Sequence, residues 1–189
     1  MVDTLEAYIR ARISHNDTQL TDVLSAFVTR KVRRGEMLLQ AGEVCQHCYF
    51  VAKGCIQVFV STDGGTETSR DFVFENNWLT DIYGFANQQP SQEFFRAVEP
   101  SVVMAIHRDQ FGRMQQQVPQ FEQIYRQILE QSYATTVYRV NTFIALDALD
   151  RVRWLMQHQP RILSRLSNKL VASYLGISPE TLSRIKARL

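Results

Sequence analysis

Residues 168–185 read NKLVASYL, then GIS, then PETLSRI, and this order predicts two helices joined by a tight turn. Gly176 tolerates the positive φ that the turn requires, and Ala172 leaves room for two helices to cross steeply. Ser178 suits the N-cap of the second helix, and Pro179 suits its first position. The apolar residues fall where both helices would bury one face; they are Val171, Leu175, Ile177, Leu182 and Ile185. The spacing predicts a helix-turn-helix.

The second helix of such a motif enters the major groove of DNA by its N-terminal end. The side chains that remain for its outer face are Glu180, Thr181, Ser183 and Arg184. Arginine can pair with guanine through two hydrogen bonds, and glutamate can accept from cytosine N4. The basic residues more suited to phosphate contacts are Lys169, Lys186 and Arg188. The alternative is a plain helical hairpin, in which Glu180 and Arg184 only form an ion pair four residues apart.

The charge of the chain is divided unevenly. Between Arg161 and Leu189 there are six basic residues and one acidic residue, so this tail has a net charge of +5, whereas the whole chain has a net charge of +2. The remainder holds 15 basic and 18 acidic residues and carries −3. A basic tail on a mildly acidic body favours a polyanionic partner, although a solvated helical face gives the same count.

Upstream of the tail, residues 109–158 lose almost all glycine and are expected to be helical, with Pro119 in the first turn of a long helix. One three-four seam on this helix comprises Tyr125, Leu129, Ser132, Thr136, Val140 and Phe143. A second seam comprises Phe121, Ile124 and Ile128. We expect one seam to pack on the preceding domain and the other on a second subunit. An amphipathic helix in a monomer is the alternative, but a length of roughly 25 residues exceeds the usual mean of about 11–12.

A second helix is expected over residues 147–157, because Pro160 disfavours helix in the residue before it. Residues 30–110 instead show period-2 alternation. The predicted strands lie at 49–51, 56–60, 72–74 and 102–106, with a hairpin signal at Asp63-Gly64-Gly65. Many short strands indicate a sandwich or barrel. Residues 3–29 are expected to form short helices, with Ile13 among their apolar positions.

Metal and catalytic chemistry find little support in the sequence. Cys45-Gln46-His47-Cys48 has zinc-ligand or redox spacing, but no second ligand pair follows, so buried thiols are favoured for these and Cys55. A cupin-type metalloenzyme would need clustered histidines and carboxylates. The histidines are scattered at His15, His47, His107 and His158, and we expect no enzymatic activity and no metal site. No apolar run approaches the roughly 20 residues of a membrane span, so a cytoplasmic protein without membrane contact is expected.

Three further motifs complete a resemblance to the Crp/Fnr family. They are Gly35 to Leu38 with Gly42-Glu43, the run 49–58 (YFVAKGCIQV), and the hinge Ala145-Leu146-Asp147 with Arg151-Val152. The stretch 176–184 (GISPETLSR) resembles the family's DNA-reading motif. The resemblance implies an α+β fold: an antiparallel β-roll (double-stranded β-helix) sensor domain at 1–118, a dimerisation helix at 119–146, and a small all-α helix-turn-helix domain at 147–189. We expect this last domain to lack the wing hairpin.

The same resemblance implies a transcription regulator that binds double-stranded DNA as a homodimer and has RNA polymerase as a further partner. Nucleotide-binding members hold the ribose with a glutamate after a glycine, and the phosphate with an arginine. Here Thr80 and Asp81 stand at the first two positions, and Ser91 lies in the phosphate segment, where Arg96 is the nearest arginine. Thr136 matches a long-helix position that faces the base. These five residues form the candidate effector pocket.

A buried phosphate without a cation is costly. We therefore expect cyclic AMP to bind weakly or not at all, and the sequence names no cofactor with certainty. The alternative function is a cyclic-nucleotide-binding-like interaction module that does not bind DNA. Salt-dependent DNA binding would distinguish the two, because phosphate contacts release counterions.

Overall fold

The computed structural model describes residues 2–11, 17–62 and 64–189 and divides into two compact units. The first unit comprises Met1–Val58 and Val73–Glu130, and the second comprises Phe59–Phe72 and Gln131–Leu189. Ile13 and His15 lie outside the described residues, as does Asp63 of the hairpin signal.

The strands run in chain order as β1 Val28–Val32, β2 Met37–Leu39, β3 His47–Lys53, β4 Ile56–Ser61, β5 Glu67–Val73, β6 Trp78–Leu79, β7 Phe94–Ala97 and β8 Ser101–His107. The helices are α1 Val2–Arg10, α2 Asp17–Ser25, α3 Ile82–Asn87, α4 Arg108–Gln117, α5 Pro119–Ala145, α6 Ala148–His158, α7 Pro160–Arg165, α8 Asn168–Leu175 and α9 Pro179–Lys186. Strands β4 and β5 and helix α5 each contribute residues to both units.

The strands form two four-stranded sheets, with orders β1-β8-β3-β6 and β2-β7-β4-β5. The pairing is antiparallel in β1·β8, β3·β8, β3·β6 and β2·β7. Side chains alternate between the two faces of a strand, so each strand can give one set to a common interior. The expected α+β class with an antiparallel β-roll is confirmed.

Aromatic rings fill the interior of the first unit. Phe111 of α4 lies 5.5 Å from Phe85 of α3, 5.0 Å from Phe121 and 5.1 Å from Tyr125, measured between ring centroids. Edge-to-face contacts at these distances favour close packing. Phe121 and Ile124 are buried in the same core, so this face of α5 packs on the β-domain as expected.

Several short elements went unpredicted from the sequence. Strands β1, β2, β6 and β7 and helix α3 have two to six residues, too few to show a clear period. β1 begins at Val28, inside the region expected to be helical. Pro160 ends one helix but also opens α7, where its fixed φ suits the first position. Among the described residues, no helix is both long and apolar enough to cross a membrane.

The turn glycine of the second unit gives a direct test of its packing. Gly176 has φ +67°, and a Cβ there would lie 2.9 Å from Phe143 Cε1. We expect Gly176→Ala to lower the free energy of unfolding by more than the roughly 1–2 kcal/mol of left-handed backbone alone. Gly65→Ala is the control in the same unit, since Gly65 has φ +76° with open space around its Cβ position. Equal losses for both variants in denaturant titrations would show that the Phe143 contact adds nothing.

Candidate nucleic-acid interface

Backbone caps define the turn between α8 and α9. The Gly176 N–H donates to Ser173 O at 3.3 Å, and the Ile177 N–H donates to Ala172 O at 3.0 Å. Ser178 Oγ then accepts from the Thr181 N–H at 3.1 Å and caps α9. The capping roles expected for Gly176 and Ser178 are therefore confirmed, and both helix ends are fixed by local hydrogen bonds.

Packing orients α9 so that its polar face is open. Leu182 of α9 and Val171 of α8 are fully buried, and Leu175 of α8 is only 3% exposed. The exposed residues at the outer face and end of α9 are Glu180, Ser183, Arg184, Lys186 and Arg188, while Thr181 is half-buried. The structure thus places the residues expected to read bases together on one accessible surface.

Hydrogen bonds order the side chains on this surface. The Arg184 guanidinium donates to Thr181 Oγ1 at 3.2 Å, and the Ser178 hydroxyl donates to the same oxygen at 3.2 Å. The pKa of Glu180 is lowered, first by a hydrogen bond to its own backbone N–H, then by the Ser178 hydroxyl, and least by the charge of Arg184. Arg184 is therefore aligned mainly by Thr181, which leaves most of its donors available.

Lys186 connects the end of α9 to the start of α8. Its Nζ donates to Asn168 Oδ1 at 2.9 Å. Ser167 caps α8, and Lys169 is exposed in the first turn. A helix N-terminus beside two ammonium groups is favourable for an anion such as a phosphate.

The expected ribose-binding positions of the β-roll have local structural partners. Asp81 Oδ1 accepts from the Gly84 N–H at 3.0 Å and caps α3. The Thr80 hydroxyl donates to His47 O at 3.2 Å. Both side chains therefore support the fold around α3.

The two residues at the expected phosphate-binding positions also have partners within the fold. Ser91 is buried, and its Oγ accepts from the Glu93 N–H at 3.0 Å. Phe95 and Ala97 lie in the core, so Arg96 between them faces the other side of β7. There Arg96 Nη2 donates to the buried Gln57 Oε1 at 2.9 Å. In this arrangement Arg96 does not supply a cation for a phosphate inside the roll.

Thr136 lies in the second unit, whereas the other four pocket residues lie in the first. It is exposed on α5, and its hydroxyl donates to Ser132 O at 2.9 Å. This is the usual local bond of a threonine within a helix.

The cysteines of the first unit are buried thiols. Cys45, Cys48 and Cys55 are free, and burial raises the pKa of the Cys48 thiol far above its ordinary range. A protonated thiol is neither a nucleophile nor a metal ligand. Within the described ranges, no three residues among His, Cys, Asp and Glu are grouped to hold a metal ion.

Sequence reasoning missed two arginines that act on the helix-turn-helix. Arg151 was noted only as part of a motif, yet it donates to Phe143 O, Leu146 O and Leu175 O at 3.0–3.2 Å. Arg139 donates to Ser69 O and Tyr174 O, both at 2.9 Å. The one available signal was a lone arginine inside an otherwise apolar and small-residue run of α5.

Comparison with known proteins gives matches over most of the chain. Residues 29–118 match the family model of the cyclic nucleotide-binding domain. The transcriptional activator protein FnrA of Stutzerimonas stutzeri is 27% identical over 172 residues, which cover 84% of this chain and 69% of FnrA.

Two solved structures have a similar fold. The c-di-GMP-responsive global regulator CLP of Xanthomonas campestris is 18% identical with a TM-score of 0.74, and the match covers 92% of this chain and 91% of CLP. A crp/fnr-family transcriptional regulator of Eubacterium rectale is 12% identical with a TM-score of 0.75, covering 96% and 87% of the two chains.

A cyclic-nucleotide-binding-type β-roll followed by a helix-turn-helix defines a class of ligand-responsive transcription regulators. The chain has this order of elements, and FnrA is similar to it in sequence over most of its length. The chain therefore has a cyclic nucleotide-binding-type domain and resembles the transcription regulators of the Crp/Fnr type in sequence and in fold.

The geometry of the β-roll predicts how the protein responds to the family's nucleotide. We expect cyclic AMP to give no saturable heat in titration calorimetry, because Arg96, the nearest arginine to the phosphate segment, donates to Gln57. A dissociation constant in the micromolar range would contradict this and would require another cation to hold the phosphate.

Proposed function

We propose that the chain regulates transcription by reading duplex DNA with α9, as a homodimer acting in the cytoplasm together with RNA polymerase. The observation that carries the proposal is the open polar face of α9, held from beneath by the buried Leu182. A capped helix with a rigid apolar underside can present Glu180, Ser183 and Arg184 to base edges in the major groove.

The charges around the motif support a nucleic-acid partner. Lys169, Lys186 and Arg188 are exposed near the ends of α8 and α9. Cations at such positions would contact phosphates and set the register of the reading helix without reading bases. We assign Arg184 and Glu180 to base contacts, Thr181 and Ser183 to supporting or base contacts, and the three basic residues to the backbone.

An exposed apolar stripe on α5 supports the dimer. Tyr133, Val137, Val140 and Ile144 follow one another at intervals of four, three and four residues, and each is at least 38% exposed. Apolar residues at this spacing form the seam of paired helices. The stripe is shifted by about one position from the predicted seam, with Val140 common to both. We therefore keep α5, with residues 119–146, as the dimerisation helix.

The domain division follows from the same assignment: a sensor over 1–118, the dimerisation helix, and a reading domain over 147–189. The sensor's signal is unidentified, and Asp81, Thr80, Ser91, Arg96 and Thr136 remain the candidate effector residues. A regulator of this kind needs no catalytic group. The interaction-module alternative keeps the sensor and dimer but assigns no DNA to α9.

The decisive experiment measures binding of Arg184→Ala to specific and scrambled DNA, using fragments that the purified chain retains from its own genome. We expect the variant to lose roughly 1–3 kcal/mol on the specific site and to relax preference at one base pair. Lys186→Ala is the comparison variant, which should weaken both DNAs alike and lower the salt slope by about one unit.

The outcomes separate the roles of these side chains. Equal weakening of both DNAs by Arg184→Ala would reduce Arg184 to a phosphate contact. No retention of any DNA by the unaltered chain, at any salt concentration, would favour the interaction module.

The dimer is tested by introducing charge into the exposed stripe. We expect Val140→Glu combined with Ile144→Glu to yield monomers in sedimentation, because two buried like charges would face each other across the seam. Met156→Glu on α6 is the matched control, since Met156 is 47% exposed and outside the stripe. An unchanged mass of the double variant would remove the stripe from the interface.

A further inference from the structure

The C-terminal end of α8 has an unusual set of hydrogen-bond partners. The last four carbonyl groups of an α-helix lack partners within the helix. In α8 the first two of these, Ala172 O and Ser173 O, accept from the turn backbone at Gly176 and Ile177. The last two, Tyr174 O and Leu175 O, accept from the guanidinium groups of Arg139 and Arg151. Two arginines thus complete the cap.

Arg139 does more than cap the helix. Its Nη2 also donates to Ser69 O of β5, so one nitrogen bridges a strand and a helix end. Its guanidinium lies 4.0 Å from the centroid of the Tyr174 ring and 4.9 Å from that of Phe143. A planar guanidinium combines stacking and directed donation, which an ammonium group cannot reproduce.

A second connection joins the same strand to the same helix. The Ser69 N–H donates to Ser173 Oγ at 2.9 Å, and the Ser173 hydroxyl donates to Glu67 O at 3.2 Å. Phe72 packs on Tyr174 with 5.7 Å between ring centroids. Ser69 is fully buried, so its backbone N–H and C=O cannot bond to water and depend on these hydrogen bonds.

We infer that Arg139 is a positioning residue for DNA reading: with Ser173 it latches the end of α8 to strand β5 of the β4–β5 hairpin and thereby sets the orientation of the reading helix. All groups of the latch belong to the second unit. In the latched arrangement the polar face of α9 is exposed, so the latch holds a state that is open to DNA. This inference rests on the proposed function for its effect on DNA.

Two features connect the latch to the rest of the chain: the shared core of α8 and α9, and the continuity of β4 and β5 with the β-roll. Leu182 of α9 and Val171 of α8 are buried, so the two helices move as one body about their shared core. Strands β4 and β5 contribute residues to both units, so the hairpin tip is covalently continuous with the β-roll. A change in the hairpin can therefore reach α9 through α8 without altering the fold of the motif.

The test compares Arg139→Gln with Arg126→Gln, the same change at an exposed arginine of α5. We expect Arg139→Gln to weaken specific DNA binding roughly tenfold, the size of one lost charge-assisted hydrogen bond. Arg126→Gln should leave affinity unchanged. Arg139→Lys should recover part of the loss, since the lysine ammonium can still donate to backbone carbonyls but cannot stack on the aromatic rings in the same way.

Amide hydrogen exchange on the full chain separates positioning from general unfolding. We expect faster exchange at the Ser69 amide in Arg139→Gln, and in Ser173→Ala, with unchanged exchange across residues 168–186. Faster exchange throughout α8 and α9, or unchanged or tighter DNA binding, would overturn the inference. If the unaltered chain binds no DNA, the proposed function fails, and Ser69 exchange in the two variants still decides whether the latch exists.

Discussion

The left-handed turn at Gly176 constrains everything around the reading helix. The backbone N–H groups of Gly176 and Ile177 donate to carbonyls in the last turn of α8, so α8 ends before Gly176 and α9 begins three residues after it. Leu182 of α9 and Val171 of α8 are both fully buried, so each helix turns its apolar side inward. Because the apolar sides of both helices are buried, the polar residues of α9 face outward.

The helix-turn-helix was predictable because its signals are local. An N-cap serine, a proline at the first position and a glycine at the turn each act within a few residues, and all three appear in the structure where the sequence placed them. The long helix was equally accessible, because a proline marks its start and glycine is missing from its length. Such features need no knowledge of distant contacts.

The remaining parts depend on contacts between residues far apart in the chain. The short strands β2 and β7 are defined by pairing Met37 with Arg96, almost 60 residues apart, and no short-range pattern encodes that pairing. The exposed apolar stripe on α5 lies about one position from the predicted seam, because a helix period alone cannot show which apolar residues the core has already taken. The side to which Arg96 points also required the burial of Phe95 and Ala97 to be known.

Arginine side chains in the two units have different hydrogen-bond partners. In the first unit, Arg96 donates to Gln57 Oε1, the neutral amide of a buried side chain. In the second unit, Arg139 and Arg151 face backbone carbonyls at the negative end of α8, where a cation is stabilised by the helix dipole. These three arginines join elements of the chain's own fold, and Arg139 links strand β5 directly to α8, the helix on which α9 packs.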